Sequence, residues 1–123
     1  DVIANMCTLT GAQGVATGKY FAAIMTNDEA LEGEVVSAGR RCGDLCHPMP
    51  YAPEIFSSEF ASKVADMKNS VANRSNGQVS CAGQFIGNNL SPNYTGKWLH
   101  IDMAAPASFN ERATGYGVAL LLE

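Results

Sequence analysis

The pattern of apolar and polar positions predicts strands that alternate with helices along the chain. Three short apolar runs, Val2–Cys7 and residues 20–26 and 98–103, have the length of buried strands. Glu29–Cys42 follows a helical pattern, with acidic residues in its first turn and two arginines in its last, an order that suits the helix dipole. This alternation favours the α/β class, here as part of an α/β sandwich with a central mixed sheet flanked by helices.

The shorter elements are predicted from single residues that start or stop them. Asn27 or Asp28 is expected to cap the long helix, and Gly43 is expected to end it. Residues 8–14 are expected to form a glycine-containing turn, which in α/β proteins often contacts ligands. The remaining predictions are a short helix at 54–62, a strand at 64–68, a helix at 81–90 capped by Ser80, a loop at 104–112 and a helix from Ala113 onward.

Composition indicates one globular domain and excludes two classes of partner. The chain has 123 residues, of which 46% are hydrophobic, enough apolar material for a real core. Eight basic and twelve acidic residues give a net charge of −4, and no basic cluster is larger than Arg40–Arg41. We therefore expect neither a nucleic-acid surface nor a membrane partner, since no apolar run approaches the roughly 20 residues of a membrane span.

The cysteines and the two ends of the sequence predict the location of the protein and whether the chain is part of a longer one. Four cysteines in a chain with ample apolar content are expected to be free thiols. No secretory leader opens the sequence, so a cytoplasmic location is expected. The chain begins without Met and stops within the apolar run at 118–122, so we expect it to be the interior of a longer chain.

Two binding motifs are present only in part. Gly18 precedes a lysine, but Tyr20 stands where a phosphate-binding loop needs Ser or Thr, and the preceding glycine is wrongly spaced. Cys42, Cys46 and His47 resemble half of a zinc site, for which buried thiols beside a helix end are the simpler interpretation.

No complete catalytic constellation follows from the residues alone. His100 and Asp102 alternate on a predicted strand and so face one side. They are either an orienting pair, or a base and its partner, or else His100 is a buried histidine that is hydrogen-bonded to a neighbour. Cys81 near a helix start is a candidate nucleophile, with a core position as the simpler alternative.

Four segments carry, in order and in register, the motifs of one family. They are residues 8–12 (TLTGA), 65–69 (ADMKN), 98–104 (WLHIDMA) and 113–118 (ATGYGV). Together they resemble the C-terminal catalytic domain of the leucine aminopeptidase family, also called cytosol aminopeptidases. Residues 11–20 and 64–73 look most similar to the animal probable-aminopeptidase subgroup.

The resemblance implies a cytoplasmic homohexamer that removes N-terminal residues from peptides with two divalent metal ions, zinc or manganese, and bicarbonate as a further candidate cofactor. The family's metal ligands lie in an Asn-Thr-Asp-Ala-Glu-Gly-Arg motif that is absent from this sequence. Residues 1–123 are therefore expected to be an incomplete catalytic domain that lacks the upstream metal-ligand segment, with no catalytic residue and no metal ligand of its own.

What the resemblance carries over is the wall of the substrate pocket. Thr8, Leu9 and Gly11 match positions that contact the first residue of the substrate, and the main chain of Leu9 matches a position that binds the peptide. Ala104 and Ala107 match positions that line the pocket for the first side chain, expected to be apolar and Leu-like. The family's usual Ile-Ala-Gly is Met103-Ala104-Ala105 here, which is expected to alter the shape of that pocket.

Two alternatives stay open at this point. The protein could be an inactive family member that serves as a structural or regulatory subunit, which substituted acids upstream of Asp1 would indicate. It could also be a stand-alone binding module that uses the loop at 10–18.

Overall fold

Four strands form one mixed sheet at the centre of the molecule. The computed structural model describes residues 1–123. The strand order is β1-β4-β2-β3, where β1 and β4 run parallel, β4 and β2 antiparallel, and β2 and β3 parallel. The bounds are Val2–Cys7 (β1), Ala22–Thr26 (β2), Cys46–Pro48 (β3) and Lys97–Asp102 (β4). Helices cover both faces of the sheet, so the predicted fold class and the three predicted strands are confirmed.

The longest helix, α2 (Glu29–Cys42), has the predicted bounds and caps. Asp28 Oδ1 accepts a hydrogen bond of 2.7 Å from the Leu31 amide, which satisfies one of the free N–H groups of the first turn. Gly43 ends the helix at φ 91°, a left-handed conformation that glycine adopts without steric cost.

The main apolar core lies between the sheet and two helices, α2 and α5 (Val118–Leu122). Ile24 of β2 and Ile101 of β4 are register partners and are both fully buried at its centre. The other buried members come from the sheet and both helices: Ala22, Val35, Ala38, Cys46, Leu99 and Leu120.

The opposite face of the sheet is covered by α4 (Gln78–Gly87), with α1 (Gly11–Ala16) beside it. Two glycines let α4 approach the sheet closely. A Cβ on Gly83 would lie 2.8 Å from His100 Cδ2 and 2.7 Å from Met25 Cε, and one on Gly87 would lie 2.8 Å from the Trp98 ring. A second small cluster, Phe56, Phe60 and Cys81, packs under α3 (Pro53–Phe56) and the 3₁₀ turn Ser57–Phe60.

One predicted turn and one predicted helix start were wrong. Residues 8–14 were expected to form a turn, but α1 begins within them at Gly11, because Thr10 caps it by accepting from the Gln13 amide. Helix α4 starts at Gln78 rather than after Ser80, and its N-cap is Gly77 at φ 40°. Ser80 is instead buried within the helix, at 1% exposure.

Two further predictions in the second half were also wrong. Residues 64–68 form no strand, and Val64 is 97% exposed. A helix was expected from Ala113 onward, but Ala113 lies in a hairpin of β5 (Ser108–Phe109) and β6 (Arg112–Ala113). Its turn residues Asn110 and Glu111 both have positive φ, as a type I′ hairpin turn requires. Helix α5 begins only at Val118.

The four cysteines are unpaired, as expected from the composition. None of the five helices has both the length and the apolar character needed to cross a membrane.

The close approach of α4 generates a stability prediction. Gly83→Ala should lower the free energy of unfolding by about 1–3 kcal/mol, because the new methyl group overlaps the buried His100 ring. The matched control is Gly33→Ala in α2, where a Cβ meets nothing within 4 Å. That change should stabilise the helix by about 0.5–1 kcal/mol. Thermal unfolding of both variants beside the unaltered protein checks the opposite signs; equal effects would contradict the packing described.

Candidate functional site

Two loops leave the sheet side by side at the carboxyl ends of β1 and β4. The two strands are parallel neighbours, and their last residues, Cys7 and Asp102, are register partners. The Met103 amide donates to the Cys7 carbonyl at 2.8 Å and so continues the pairing past the strand ends. We call residues 8–10 the β1 loop and residues 103–107 the β4 loop. The carboxyl edge of parallel strands is where α/β proteins place their ligands.

The carboxylate of Asp102 joins the two loops. It is fully buried and accepts hydrogen bonds from two amides of the β1 loop, Leu9 at 3.1 Å and Thr10 at 3.5 Å. It also accepts from the Thr10 hydroxyl at 2.8 Å and from the Ala104 amide at 3.2 Å. No lysine, arginine or histidine forms a salt bridge with it, so its charge is stabilised by these N–H and O–H groups alone.

A second buried side chain, Gln13 of α1, fixes the β4 loop from the other side. Its Oε1 accepts from the Ala105 amide at 2.7 Å, and its Nε2 donates to the Phe21 carbonyl at 2.6 Å. Thr10 Oγ1 in turn accepts from the Gln13 amide at 3.1 Å, which caps α1. The two loops, α1 and the chain entering β2 are thereby linked in one hydrogen-bonded unit.

The five residues predicted for the substrate wall lie on or next to these loops. Thr8, Leu9 and Gly11 are exposed in and after the β1 loop, and Ala104 and Ala107 are half-buried in the β4 loop. The Leu9 amide is occupied by Asp102, whereas no protein group donates to the Leu9 carbonyl. The carbonyl is therefore the main-chain group of Leu9 that can accept a bond from a bound peptide.

The pairing of His100 with Asp102 as a base and its partner was the wrong alternative. Trp98 Nε1 donates to Asn5 Oδ1 at 2.9 Å, so the Asn5 amide nitrogen, 2.8 Å from His100 Nδ1, is the donor there. The proton of the neutral ring is then on Nε2, which is buried beneath α4 without a partner. Burial lowers the pKa of His100, and the nearby Asp102 opposes that shift. The histidine is a structural member of the core.

The cysteines that were candidates for a nucleophile and for half of a zinc site are thiols packed in or beside the core. Cys81 is fully buried, and burial raises the pKa of its thiol, with Glu59 contributing further. Burial likewise raises the pKa of Cys46 to about 11. Cys42, Cys46 and His47 do not gather around a common point, and no group of three or more His, Cys, Asp or Glu in this chain is placed to hold a metal ion.

Comparison with known proteins identifies the family. The model of the cytosol aminopeptidase family, catalytic domain, matches residues 1–122. The chain belongs to the cytosol aminopeptidase family. It is 59% identical over 122 residues to the probable aminopeptidase NPEPL1 of Mus musculus, covering 99% of this chain and 23% of that protein. It is 48% identical over 119 residues to leucine aminopeptidase 1 of Caenorhabditis elegans, covering 96% and 24%.

Solved structures of cytosol aminopeptidases agree with this fold. The apo leucyl aminopeptidase of Trypanosoma cruzi superposes with a TM-score of 0.95 at 55% identity, over 98% of this chain and 24% of that one. The chain thus spans about a quarter of the length of the relatives it matches. The resemblance found in the four sequence motifs, including the likeness to animal probable aminopeptidases, is confirmed.

Sequence reasoning missed the residues that hold the two loops together. Thr10 and Gln13 have the Thr-x-x-Gln spacing of a helix capping box, a signal that could have located α1. In the structure, however, Asp102 takes the Thr10 amide that the glutamine would otherwise accept, which frees Gln13 for the β4 loop. No local pattern reveals that exchange, because the partners are 92 residues apart.

The buried carboxylate generates a prediction with an internal control. Asp102→Ala should destabilise the protein by about 3 kcal/mol or more, because it strands four donors in a buried space. Asp102→Asn should lower the free energy of unfolding clearly less. The amide oxygen of Asn can still accept from the Leu9, Thr10 and Ala104 amides, and its NH₂ group can donate to Thr10 Oγ1. Denaturant unfolding of both variants measures the difference. Equal losses would show that hydrogen bonding at this position does not hold the loops.

Proposed function

We propose that the protein carrying this chain is a two-metal aminopeptidase that removes N-terminal, apolar, Leu-like residues from peptides. In this proposal residues 1–123 are an incomplete catalytic domain that supplies core and substrate wall. The observation that supports it most strongly is the Asp102 carboxylate, which holds the two loops that carry the wall residues in one fixed arrangement. Membership of the cytosol aminopeptidase family gives that arrangement its chemistry.

Each wall residue has a role that fits its surroundings. The Leu9 carbonyl accepts an N–H of the peptide, since its own amide is engaged. Thr8 and Gly11 are exposed near Leu9 in the sequence, and they contact the first residue of the substrate. Ala104 and Ala107 carry only methyl groups, which leaves room for a Leu-sized side chain. All five act by binding and positioning, and none of them moves a proton.

The metal ions belong to another part of the protein. Aminopeptidases of this family are metal-dependent, but the residues of this chain do not form a metal site. We therefore propose that both ions, zinc or manganese, and any bicarbonate are bound by residues outside this chain, and we assign no catalytic residue within it. When bound, such ions polarise the carbonyl of the peptide bond.

We further propose that the protein is a cytoplasmic homohexamer whose partners are peptides rather than nucleic acid or membranes. Exposed apolar side chains on α5 support contact with further protein surface. Val118 is 63% exposed and Leu122 is 83% exposed. Exposed apolar side chains that adjoin one another on one helix are typical of a surface that contacts other protein.

One substitution tests the wall. In the full-length, metal-loaded protein, Ala104→Phe should lower kcat/KM for leucine amide substrates by about tenfold or more, because the ring fills the space for the first side chain. Steady-state hydrolysis of a leucine amide with added zinc or manganese measures it. The matched control is Ala61→Phe, at an exposed position after the 3₁₀ turn and outside both loops and α5, and it should leave the kinetics unchanged.

Three outcomes would contradict the proposal in different places. No turnover by the unaltered protein with either metal would favour the inactive, structural member of the family. Turnover by residues 1–123 alone would mean that the metal site lies in this chain after all. Unchanged kinetics of Ala104→Phe would remove Ala104 from the substrate wall.

A further inference from the structure

A cavity opens beside the β1 loop, and no residue of the β4 loop lines it. It is a cleft of about 790 Å³, bounded by Leu9 and Thr10 at one side and by α4 and the segment 69–74 at the other. Leu9 therefore belongs both to the proposed wall and to this cleft. In the proposed aminopeptidase, a peptide held at Leu9 with its first residue against Ala104 would therefore have this cleft beside its next residue.

The floor of the cleft is apolar. The rings of Phe60 and Phe85 meet edge to face at 5.8 Å between centroids, and Val71 packs beside them. Phe60 is 3% exposed, so this floor is part of the folded core rather than a mobile surface. A floor of this kind binds the aliphatic part of a side chain and leaves any charged end to be met at the rim.

Arg74 is the one charged residue that lines the cleft, and it has no acidic partner. The segment that carries it is held in place by Glu59, whose carboxylate accepts from the Asn73 amide and from Asn76 Nδ2, both at 2.8 Å. Gln78 Nε2 donates to the Arg74 carbonyl at 2.5 Å. The backbone of Arg74 is thus fixed, while its guanidinium stays exposed and free to bind an anion.

We propose that this cleft binds the residue on the C-terminal side of the cleaved peptide bond and that Arg74 selects a carboxylate there. The inference rests on the proposed aminopeptidase function, because the position of Leu9 beside the cleaved bond defines the direction of the peptide. A guanidinium matches a carboxylate in geometry as well as in charge. The carboxylate is either the side chain of Asp or Glu at the second position or the free C-terminus of a dipeptide.

Substrate pairs on the full-length, metal-loaded protein test this selection. Leu-Glu-Gly-amide should be hydrolysed with a kcat/KM about fivefold above that of Leu-Gln-Gly-amide, the size expected of a partly exposed ion pair. Leu-Gly compared with Leu-Gly-amide tests the free C-terminus in the same way. Arg74→Gln should abolish whichever preference is found, and Arg74→Glu should reverse the first in favour of Leu-Lys-Gly-amide. The preference should also weaken at high salt, because an exposed pair is screened.

The control is Arg112→Gln, which removes an exposed arginine from the β5–β6 hairpin and should keep the preference intact. A carboxylate preference in either pair that Arg74→Gln removes supports the inference and shows which source of carboxylate is read. No preference in either pair, or one that survives Arg74→Gln, overturns it while hydrolysis of Leu-Gln-Gly-amide leaves the aminopeptidase proposal standing. Hydrolysis of none of the peptides overturns the proposed function and this inference together.

Discussion

The buried carboxylate of Asp102 is the interaction on which the candidate site depends. A charge inside a protein is costly unless it is paired, and here no cation pairs with it. The required donors come from the β1 loop and from Ala104, so neither loop can move away without leaving a buried charge under-bonded. The constraint is mutual, since the loops also need the carboxylate for their own amides. A single side chain thereby turns two loops into one rigid surface.

The sheet prepares this interaction, and α1 extends it. Parallel pairing of β1 with β4 places Cys7 beside Asp102, so the chain after Cys7 must pass over the carboxylate. Gln13 then ties α1 to Ala105 and to the start of β2. The apolar core between the sheet and α2 fixes β4 from below. The arrangement of the two loops is therefore set by β4, an inner strand of the sheet, rather than by the loop sequences themselves.

Local patterns predicted those elements whose determinants are close together in the sequence. Helix α2 was predicted in full because Asp28 and Gly43 mark its ends with ordinary capping chemistry. The hairpin at 108–113 was missed because its turn is Asn110-Glu111, and Glu111 is an unusual residue at positive φ. The start of α4 was misplaced because Ser80 resembles a cap, whereas burial against the sheet assigns it to the helix interior.

Some residues of the candidate site could be proposed from sequence motifs, whereas the roles of others depend on contacts between distant parts of the chain. The wall residues Thr8, Leu9, Gly11, Ala104 and Ala107 were proposed from resemblance of motifs, and the fold places them together at one sheet edge. The roles of Asp102 and Gln13 depend on contacts across more than 90 residues and have no local signature. The cleft at Arg74 likewise exists only because α4 and the segment 69–74 meet the β1 loop in space.

Hydrogen exchange at individual amides tests the central role of Asp102 most directly. The measurement compares Leu9 and Ala104, which the carboxylate binds, with Ile101 inside β4 and with Asn110 in the exposed hairpin turn. If the carboxylate holds both loops, Leu9 and Ala104 exchange slowly and open together with Ile101. Exchange of Leu9 and Ala104 as fast as Asn110, or at rates unrelated to each other, would contradict the account.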